Sequence, residues 1–366
     1  MKVGFRVDAG ITIGAGHLSR CLTIANALKL DGISECFFIL KSHQGSFTAS
    51  IYKNGFSLEV LPLEFQPNYY ADDYEQWVGG CALNDAKLTL DYLKKQGFTS
   101  DDWLIIDHYG LDHKFETIIV DNGINVGVID DLANRQHNCK FLVDQTCGRR
   151  AQEYKNLVNF DTDLMTGQFF CMLRPEFLMF RERALAKRTK FKGITNIFIN
   201  FGSTDPTNVT STIIDTLNGI NFQSEIELVI AVGRNSPNLS QIKNSVKCFS
   251  GQTALIIDAQ NMSELMYNAD VAIGAAGATT WERCALGLPS IIIKTAENQS
   301  TVIERILDFD VAVLHDMELK EQPNELLKHL SYIQDNYQSI SEKCSSLVTA
   351  DGVNKVIEKM LWKNIK

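Results

Sequence analysis

Short runs of continuous apolar residues, separated by helix-length segments of mixed polarity, recur along the whole chain. In the first half they are Val3–Val7, Cys36–Leu40, Leu104–Asp107, Val126–Ile129 and Phe141–Val143. In the second half they are Ile197–Phe201, Ile226–Val232, Ala254–Ile257, Val271–Gly274 and Ser290–Ile293. A strand that is apolar at consecutive positions, not at alternate ones, is buried on both faces, which predicts parallel sheets covered by helices. The pattern appears twice, so the predicted fold class is α/β in two domains. Between the halves, from about Arg174 to Gly193, the chain turns basic and polar and loses its strand signal, with Pro175 near its start. This predicts an N-terminal domain over 1–175, a linker over 176–192 and a C-terminal domain over 193–366. The stretch from about Gln334 to Lys366 reads as helical, closing the second domain and leaning back on the first.

Composition narrows the function classes. The 366 residues are 45% hydrophobic and 22% charged, as in an ordinary globular protein, and a chain this long exceeds one core. The formal net charge is −9 and the one long basic run is Arg181–Lys192, which argues against a nucleic-acid footprint. Any anionic ligand must be held locally. Nine cysteines without a CxxC pair read as reduced, mostly buried thiols. Arg6 and Asp8 interrupt what a signal peptide would keep apolar, and no stretch reaches the roughly 18 apolar residues of a membrane span. The expectation is a cytoplasmic protein without stable membrane association.

Candidate chemistry collects at strand ends, where open parallel sheets bind ligands. Directly after the opening strand comes GITIGAGHLSRC, Gly10–Cys21. Gly14 and Gly16 allow a tight turn with exposed N–H groups at a helix start, suited to an anion or a sugar hydroxyl, with His17 at the mouth. Ser19 stands where a dinucleotide fingerprint needs glycine, so this is either a ligand loop of another kind or a structural turn. IIDHYG, Ile105–Gly110, runs a strand out into Asp107, His108 and Tyr109, which are candidates for proton transfer or, alternatively, a helix cap and a packed wall. Asp130, Asp131, Arg135 and His137 end the next strand, more in the manner of a fixed loop.

The second half supplies two loops suited to anions. GSTDPTN, Gly202–Asn208, with Ser203 behind its glycine, has the makings of a phosphate-sized nest before a helix. In GAAGATTWE, Gly274–Glu282, the small residues Ala276, Gly277 and Ala278 permit close approach, and Thr279 and Thr280 lie at a helix start. Neither loop carries the lysine of a Walker motif, and a diphosphate can be held there by backbone N–H groups and the helix dipole. Glu282 is placed either to take ribose hydroxyls or simply to favour the first helical turn. Asn298 and Gln299 leave the strand Ser290–Ile293 as sugar-reading amides or as a cap.

In order and spacing, GAGHLSRC, IIDHYG, IDDLANRQHNCKFLVDQ, LRPEF, NFGSTDPTN, GAAGATTWERCALGLPSI and the ENQ that follows resemble the UDP-sugar hydrolases of pseudaminic acid biosynthesis. That family includes spore-coat polysaccharide proteins and is similar to nucleotide-sugar glycosyltransferases with two facing Rossmann-like domains, the glycosyltransferase B-like fold. The resemblance implies hydrolysis of UDP-2,4-diacetamido-2,4,6-trideoxy-β-L-altropyranose by water attack at the anomeric carbon, with inversion, no cofactor and no required metal. It makes His17 the general base or water-positioning residue and sets Tyr109 and Asn298 near the sugar. Glu282 and the loop from Gly274 to Thr280 would bind UDP. Asp8, Gly14, Gly16 and Arg20 around His17, and Gln299 beside Asn298, complete the expected substrate contacts. Gly202 and Ser203 depart from the family, which often shows two glycines before the hydroxyl residue. The alternatives are a glycosyltransferase using a related donor, an epimerase, and a non-catalytic nucleotide-sugar binding protein. A monomer that takes only a UDP-sugar and water is expected.

Overall fold

A computed structural model of the chain describes residues 1–10, 13–30, 32, 35–45, 47–65, 67, 73–202, 204–222, 224–296, 299–318 and 322–362. It divides into two compact units, Met1–Arg174 with Asp351–Lys366, and Pro175–Ala350. In the first, β1 (Lys2–Val7), β2 (Glu35–Lys41), β3 (Ser57–Leu61), β4 (Trp103–Asp107), β5 (Asn125–Ile129), β6 (Phe141–Asp144) and β7 (Asp163–Thr166) form one sheet. Its order is β3-β2-β1-β4-β5-β6-β7, every pairing parallel. Alternate residues of one strand enter different cores. Trp103 and Ile105 pack with Phe5 and Phe38 on one face, and Leu104 and Ile106 with Phe37 and Ile39 on the other. Helices covering both faces are why the strands read as unbroken apolar runs.

The second unit repeats the plan with β8 (Asn196–Asn200), β9 (Glu227–Val232), β10 (Gln252–Ile257), β11 (Val271–Ala275), β12 (Ser290–Ile293) and β13 (Ala312–Leu314), ordered β10-β9-β8-β11-β12-β13 and all parallel. In each sheet the strand order reverses once, between β1 and β4 and between β8 and β11. Such a reversal opens a crevice at the carboxyl ends, because the loops on its two sides lead to opposite faces.

Two boundaries differ from the expected 1–175, 176–192 and 193–366. The basic segment is a helix, Pro175–Arg188, inside the second unit. Pro175 begins it, as proline does at a first helical position, where no backbone donor is needed. Its cations serve as caps. Arg181 donates to the carbonyls of Ala285 (2.5 Å), Val348 (2.8 Å) and Ser345 (2.6 Å). Buried Arg188 donates to those of Met266 (2.8 Å) and Ala269. Carbonyls at helix ends are orphaned and partly negative, so a run of arginines and lysines fits there.

The last helix, Gly352–Trp362, belongs to the first unit. Val353, Val356, Ile357 and Met360 complete the core against Leu18, Cys21, Ala25 and Leu28 of the first helix, Gly16–Leu30. The close approach depends on Gly352, where a Cβ would collide with the Cys171 carbonyl and lie 2.8 Å from the Cys171 nitrogen. Gly352→Ala is therefore expected to lower stability by about 1–3 kcal/mol, the usual cost of overpacking. An unchanged melting temperature would contradict this docking. All nine cysteines are free, seven of them buried. Among the described residues no helix is long and apolar enough to cross a membrane.

Candidate active site

In the first unit the site begins at the β1/β4 reversal. After β1 the chain closes a tight loop in which the Gly14 N–H donates to the Gly10 carbonyl at 2.8 Å and the reverse bond is 3.3 Å. Gly14 has φ +83°, a conformation that favours glycine, and a Cβ at Gly14 or Gly16 would meet nothing within 4 Å. The turn is thus open on its outer side. The Gly16–Leu30 helix starts immediately after it, which sets His17 in the first helical turn.

Asp107 is the last residue of β4, paired in register with Val7 of β1, and this adjacency brings it to His17. His17 Nδ1 lies 2.6 Å from Asp107 Oδ1. Arg20, one turn further along the same helix, donates to the same carboxylate from Nε (2.6 Å) and Nη2 (2.7 Å). Burial alone would raise the Asp107 carboxyl, but the Arg20 charge and these hydrogen bonds outweigh it and hold it well below the usual carboxylate range. An ionised carboxylate only accepts, so Nδ1 of a neutral His17 carries the proton and Nε2 presents a lone pair. This is the orientation a general base needs.

Arg20 is shared. Its Nη1 donates to Asp131 Oδ2 at 2.6 Å, and the Tyr109 hydroxyl donates to the same oxygen at 2.8 Å. Burial and the Asp131 charge push the Tyr109 hydroxyl well above its ordinary value, so it stays protonated. The Tyr109 ring stands edge-on to His17 at 4.5 Å between centroids. Trp77 (6.5 Å from His17, 5.9 Å from Tyr109) and Tyr74 (4.9 Å from Trp77, 5.1 Å from Tyr109) extend this into an aromatic wall. The short 3₁₀ helix Tyr74–Val78 is anchored by the Lys41 ammonium, which donates to the Val78 carbonyl at 2.7 Å. Gly110 is needed beneath it, because a Cβ there would collide with the Tyr74 carbonyl.

Asp8 differs from the expectation of a substrate contact. It is 1% exposed, with Oδ1 taken by Arg6 Nη1 (2.7 Å) and the Lys41 backbone N–H (2.7 Å), and Oδ2 by Arg6 Nη2 (3.0 Å). His43 and His108 nitrogens lie 3.2 and 3.1 Å from Oδ2, though off the line of a good hydrogen bond. Arg6 also pairs with Asp85 at 2.7 Å. A carboxylate this saturated braces β1 against β2 and has no capacity left for a ligand. Arg20 is likewise committed, to Asp107 and Asp131. His108 belongs to the brace: its Nδ1 accepts from the Gly110 N–H at 3.0 Å. Asp130 and Arg135 form the fixed loop expected of them, paired at 2.6 Å, with Arg135 Nε donating to the Leu111 carbonyl at 3.0 Å.

In the second unit the β8/β11 reversal carries two loops. Gly202 has φ +88° and open space around its Cα, while Ser203 lies outside the described residues. The nest expected over 202–208 is filled from within. Asp205 Oδ1 and Oδ2 accept the N–H groups of Val209 (3.1 Å) and Thr210 (2.9 Å), which caps the following helix with the chain's own carboxylate.

The other loop has no carboxylate of this kind. The helix Ala278–Ala285 begins at Gly277, which has no side chain to cap it, and Gly277 and Ala278 are exposed. Thr280 turns inward, its Oγ1 accepting the Gly277 N–H at 3.2 Å and Arg283 Nη2 at 2.8 Å. Ala276 is buried, Thr279 half-buried and Glu282 partly exposed in the first two turns. Gly274 is required by crowding: a Cβ there would collide with Arg283 Nη1 and lie 2.5 Å from the Asn200 carbonyl. Asn298 lies outside the described residues. The Gln299 side chain folds back, accepting the Thr295 N–H at 2.9 Å, which favours the cap over a sugar contact.

With this geometry in view, comparison with known proteins is informative. Residues 196–346 match the family model for the glycosyltransferase family 28 C-terminal domain. The chain is also homologous to the UDP-2,4-diacetamido-2,4,6-trideoxy-β-L-altropyranose hydrolase of Campylobacter jejuni, at 25% identity over 82% of this chain and 94% of that one. To the spore coat polysaccharide biosynthesis protein SpsG of Bacillus subtilis it is 22% identical over 97% and 96%. To MJ1062 of Methanocaldococcus jannaschii it is 27% identical over 82% of this chain, which spans 57% of that longer protein. The resemblance drawn from the motifs is met by these homologues. Among solved structures, MurG of Acinetobacter baumannii superposes with a TM-score of 0.70 at 12% identity, covering 98% and 99% of the two chains. The family 28 domain and this likeness agree with the α/β expectation: both halves are Rossmann-like and parallel, as in glycosyltransferases of the B type.

Proposed function

We propose that the protein cleaves a UDP-sugar at the bond between sugar and UDP, with water as acceptor, and that the sugar is of the 2,4-diacetamido-2,4,6-trideoxy-β-L-altropyranose class. His17 Nε2 takes a proton from water as its oxygen attacks the anomeric carbon from the face opposite the leaving group. The bond to the diphosphate oxygen breaks, its electron pair leaves with UDP, and the configuration inverts. A diphosphate suits the exposed start of the Ala278–Ala285 helix in the second unit, at its positive end, and Glu282 suits the ribose. Tyr109 borders the sugar, where rings beside the base suit a methyl and acetamido groups in place of hydroxyls. The observation that carries this reading is the His17–Asp107 pair at 2.6 Å, which holds the imidazole proton on Nδ1 and leaves Nε2 with a lone pair. The homology to the Campylobacter hydrolase supports the choice of sugar.

A second reading, transfer of the sugar to another acceptor, draws on the family 28 domain, since the same base serves a hydroxyl acceptor equally well. The two separate in one experiment. The UDP-sugar is incubated without any acceptor, and UDP and free sugar are followed together by NMR. Equimolar release of both, with the inverted anomer appearing first, is expected. Binding without turnover would overturn hydrolysis in favour of transfer, and absence of binding would overturn the sugar assignment.

A further inference from the structure

Arg283 is 1% exposed and forms no ion pair among the described residues; the one carboxylate charge acting on it is that of the neighbouring, partly exposed Glu282. Its Nη2 donates to two neutral oxygens, the Ala275 carbonyl (2.9 Å) and Thr280 Oγ1 (2.8 Å), and its Nε has no hydrogen-bond partner. The other buried arginines of the molecule are compensated. Arg6 has Asp8 and Asp85, Arg20 has Asp107 and Asp131, and Arg188 has carbonyls at and just beyond the end of the helix Met262–Asn268, where partial negative charge gathers.

Arg283 sits in the opposite electrostatic setting. It lies in the second turn of the helix Ala278–Ala285, yet its side chain reaches back to the loop before that helix, toward the positive end of the helix dipole. Burial depresses the guanidinium from its ordinary value to about 10, so it remains charged at neutral pH. A buried cation with no ion pair and only a partly exposed carboxylate near it, set where the backbone is itself positive, is destabilising in the molecule as it stands. Evolved proteins keep such arrangements at functional sites. What relieves both costs together is an anion on the outer side of the loop, whose Gly277 and Ala278 are exposed and where a Cβ on Gly277 would meet nothing within 4 Å.

We propose that Arg283 is a built-in counter-charge for the diphosphate of the bound nucleotide, acting from beneath the Gly274–Thr280 loop without touching the ligand. It also shapes that loop, since its two bonds draw the Ala275 carbonyl and Thr280 Oγ1 inward and leave the exposed backbone at the helix start facing outward. It is a positioning residue, and it rests on the reading of this loop as the UDP site.

The test is titration calorimetry of UDP, UMP and uridine on wild type, Arg283→Met and Arg283→Gln, with thermal melts of each. Replacing a buried uncompensated charge by an apolar chain of similar length is often neutral or stabilising, so Arg283→Met is expected to melt no lower than wild type. UDP affinity is expected to fall about 10–100-fold, UMP less, and uridine not at all, because only the charge-dependent part is lost. Arg283→Gln, which keeps a donor for Thr280 but not the charge, is expected to lose UDP affinity similarly. Unchanged UDP affinity in the variants overturns the proposal. So does a proportional loss of uridine, or a large fall in melting temperature for both variants, since either makes Arg283 a purely structural brace. Failure of the wild type itself to bind UDP overturns instead the reading on which the inference rests.

Discussion

Replacing His17 by alanine is expected to lower kcat by about 10²–10⁴-fold while leaving UDP affinity unchanged. The split follows from where the residue sits. His17 belongs to the first unit, at the β1/β4 crevice, and its interactions are with Asp107, Arg20 and the Tyr109 and Trp77 rings. The loop proposed for the diphosphate belongs to the second unit, and none of its hydrogen bonds involves His17. Removing the imidazole leaves Asp107 ionised against Arg20, through two bonds of 2.6 and 2.7 Å, so no buried charge is orphaned and the variant folds. Product UDP, which lacks the sugar, does not need the base. Turnover of the sugar nucleotide by stopped assay and UDP affinity by calorimetry decide the matter. Unchanged turnover refutes the base, and parallel losses in turnover and UDP affinity make His17 a binding residue instead.

This pairing also marks how far a sequence can be read. Both GAGHLSRC and IIDHYG are legible as strand-end segments, and the strands that carry them, β1 and β4, are apolar throughout. What is not legible is that Asp107, 90 positions from His17, would be its partner. That depends on β1 and β4 being neighbours at the point where strand order reverses. Three of the four edge strands escape for a simpler reason. β3 (SLEVL), β7 (DLMT) and β13 (AVL) are three to five residues long and partly exposed, so they lack the continuous apolar signal of a strand buried on both faces.

Helices are ambiguous in a different way. The periodicity of Gly352–Trp362 announces an apolar face but not which core receives it, and the crowding at Gly352 is visible only once Cys171 lies against it. Polar loops mislead where local bonding wins. GSTDPTN has every feature of a nest, yet Asp205 supplies the anion itself. Arg283 carries no signal of its own in GAAGATTWERCALGLPSI, and only the geometry turns it inward. The aromatic contribution of Tyr74 and Trp77 carries no sequence signal, because the loop around them has no periodicity.

Asp107→Asn is expected to be nearly as slow as His17→Ala, although His17 remains. An asparagine has one acceptor and one donor face. If its NH₂ meets His17, it donates to Nδ1 and drives the proton to Nε2, where a base must be empty. If its oxygen meets His17, the NH₂ opposes the Arg20 guanidinium. The first arrangement gives the wrong tautomer and the second sets two donors against each other, which favours the first, and a loss of about 10²–10⁴-fold in kcat follows. Stability falls as well, because breaking a buried ion pair costs about 3–5 kcal/mol at most, moderated here by Asp131, which keeps Arg20 paired.

The pH dependence gives a further check with a definite sign. Native Asp107 is held below the ordinary carboxylate range, so the unfolded chain takes up its proton first as pH falls. Its stabilising contribution is complete above the unfolded value of about 3.9 and is lost progressively below it. The Asn variant lacks that contribution, so its stability declines less steeply on acidification than that of wild type. A double variant, Asp107→Asn with His17→Ala, then separates orientation from any independent role. If Asp107 acts only by orienting His17, the double variant is no slower than His17→Ala alone, since groups acting as a unit are not additive. A further tenfold loss would give Asp107 a part in the reaction of its own.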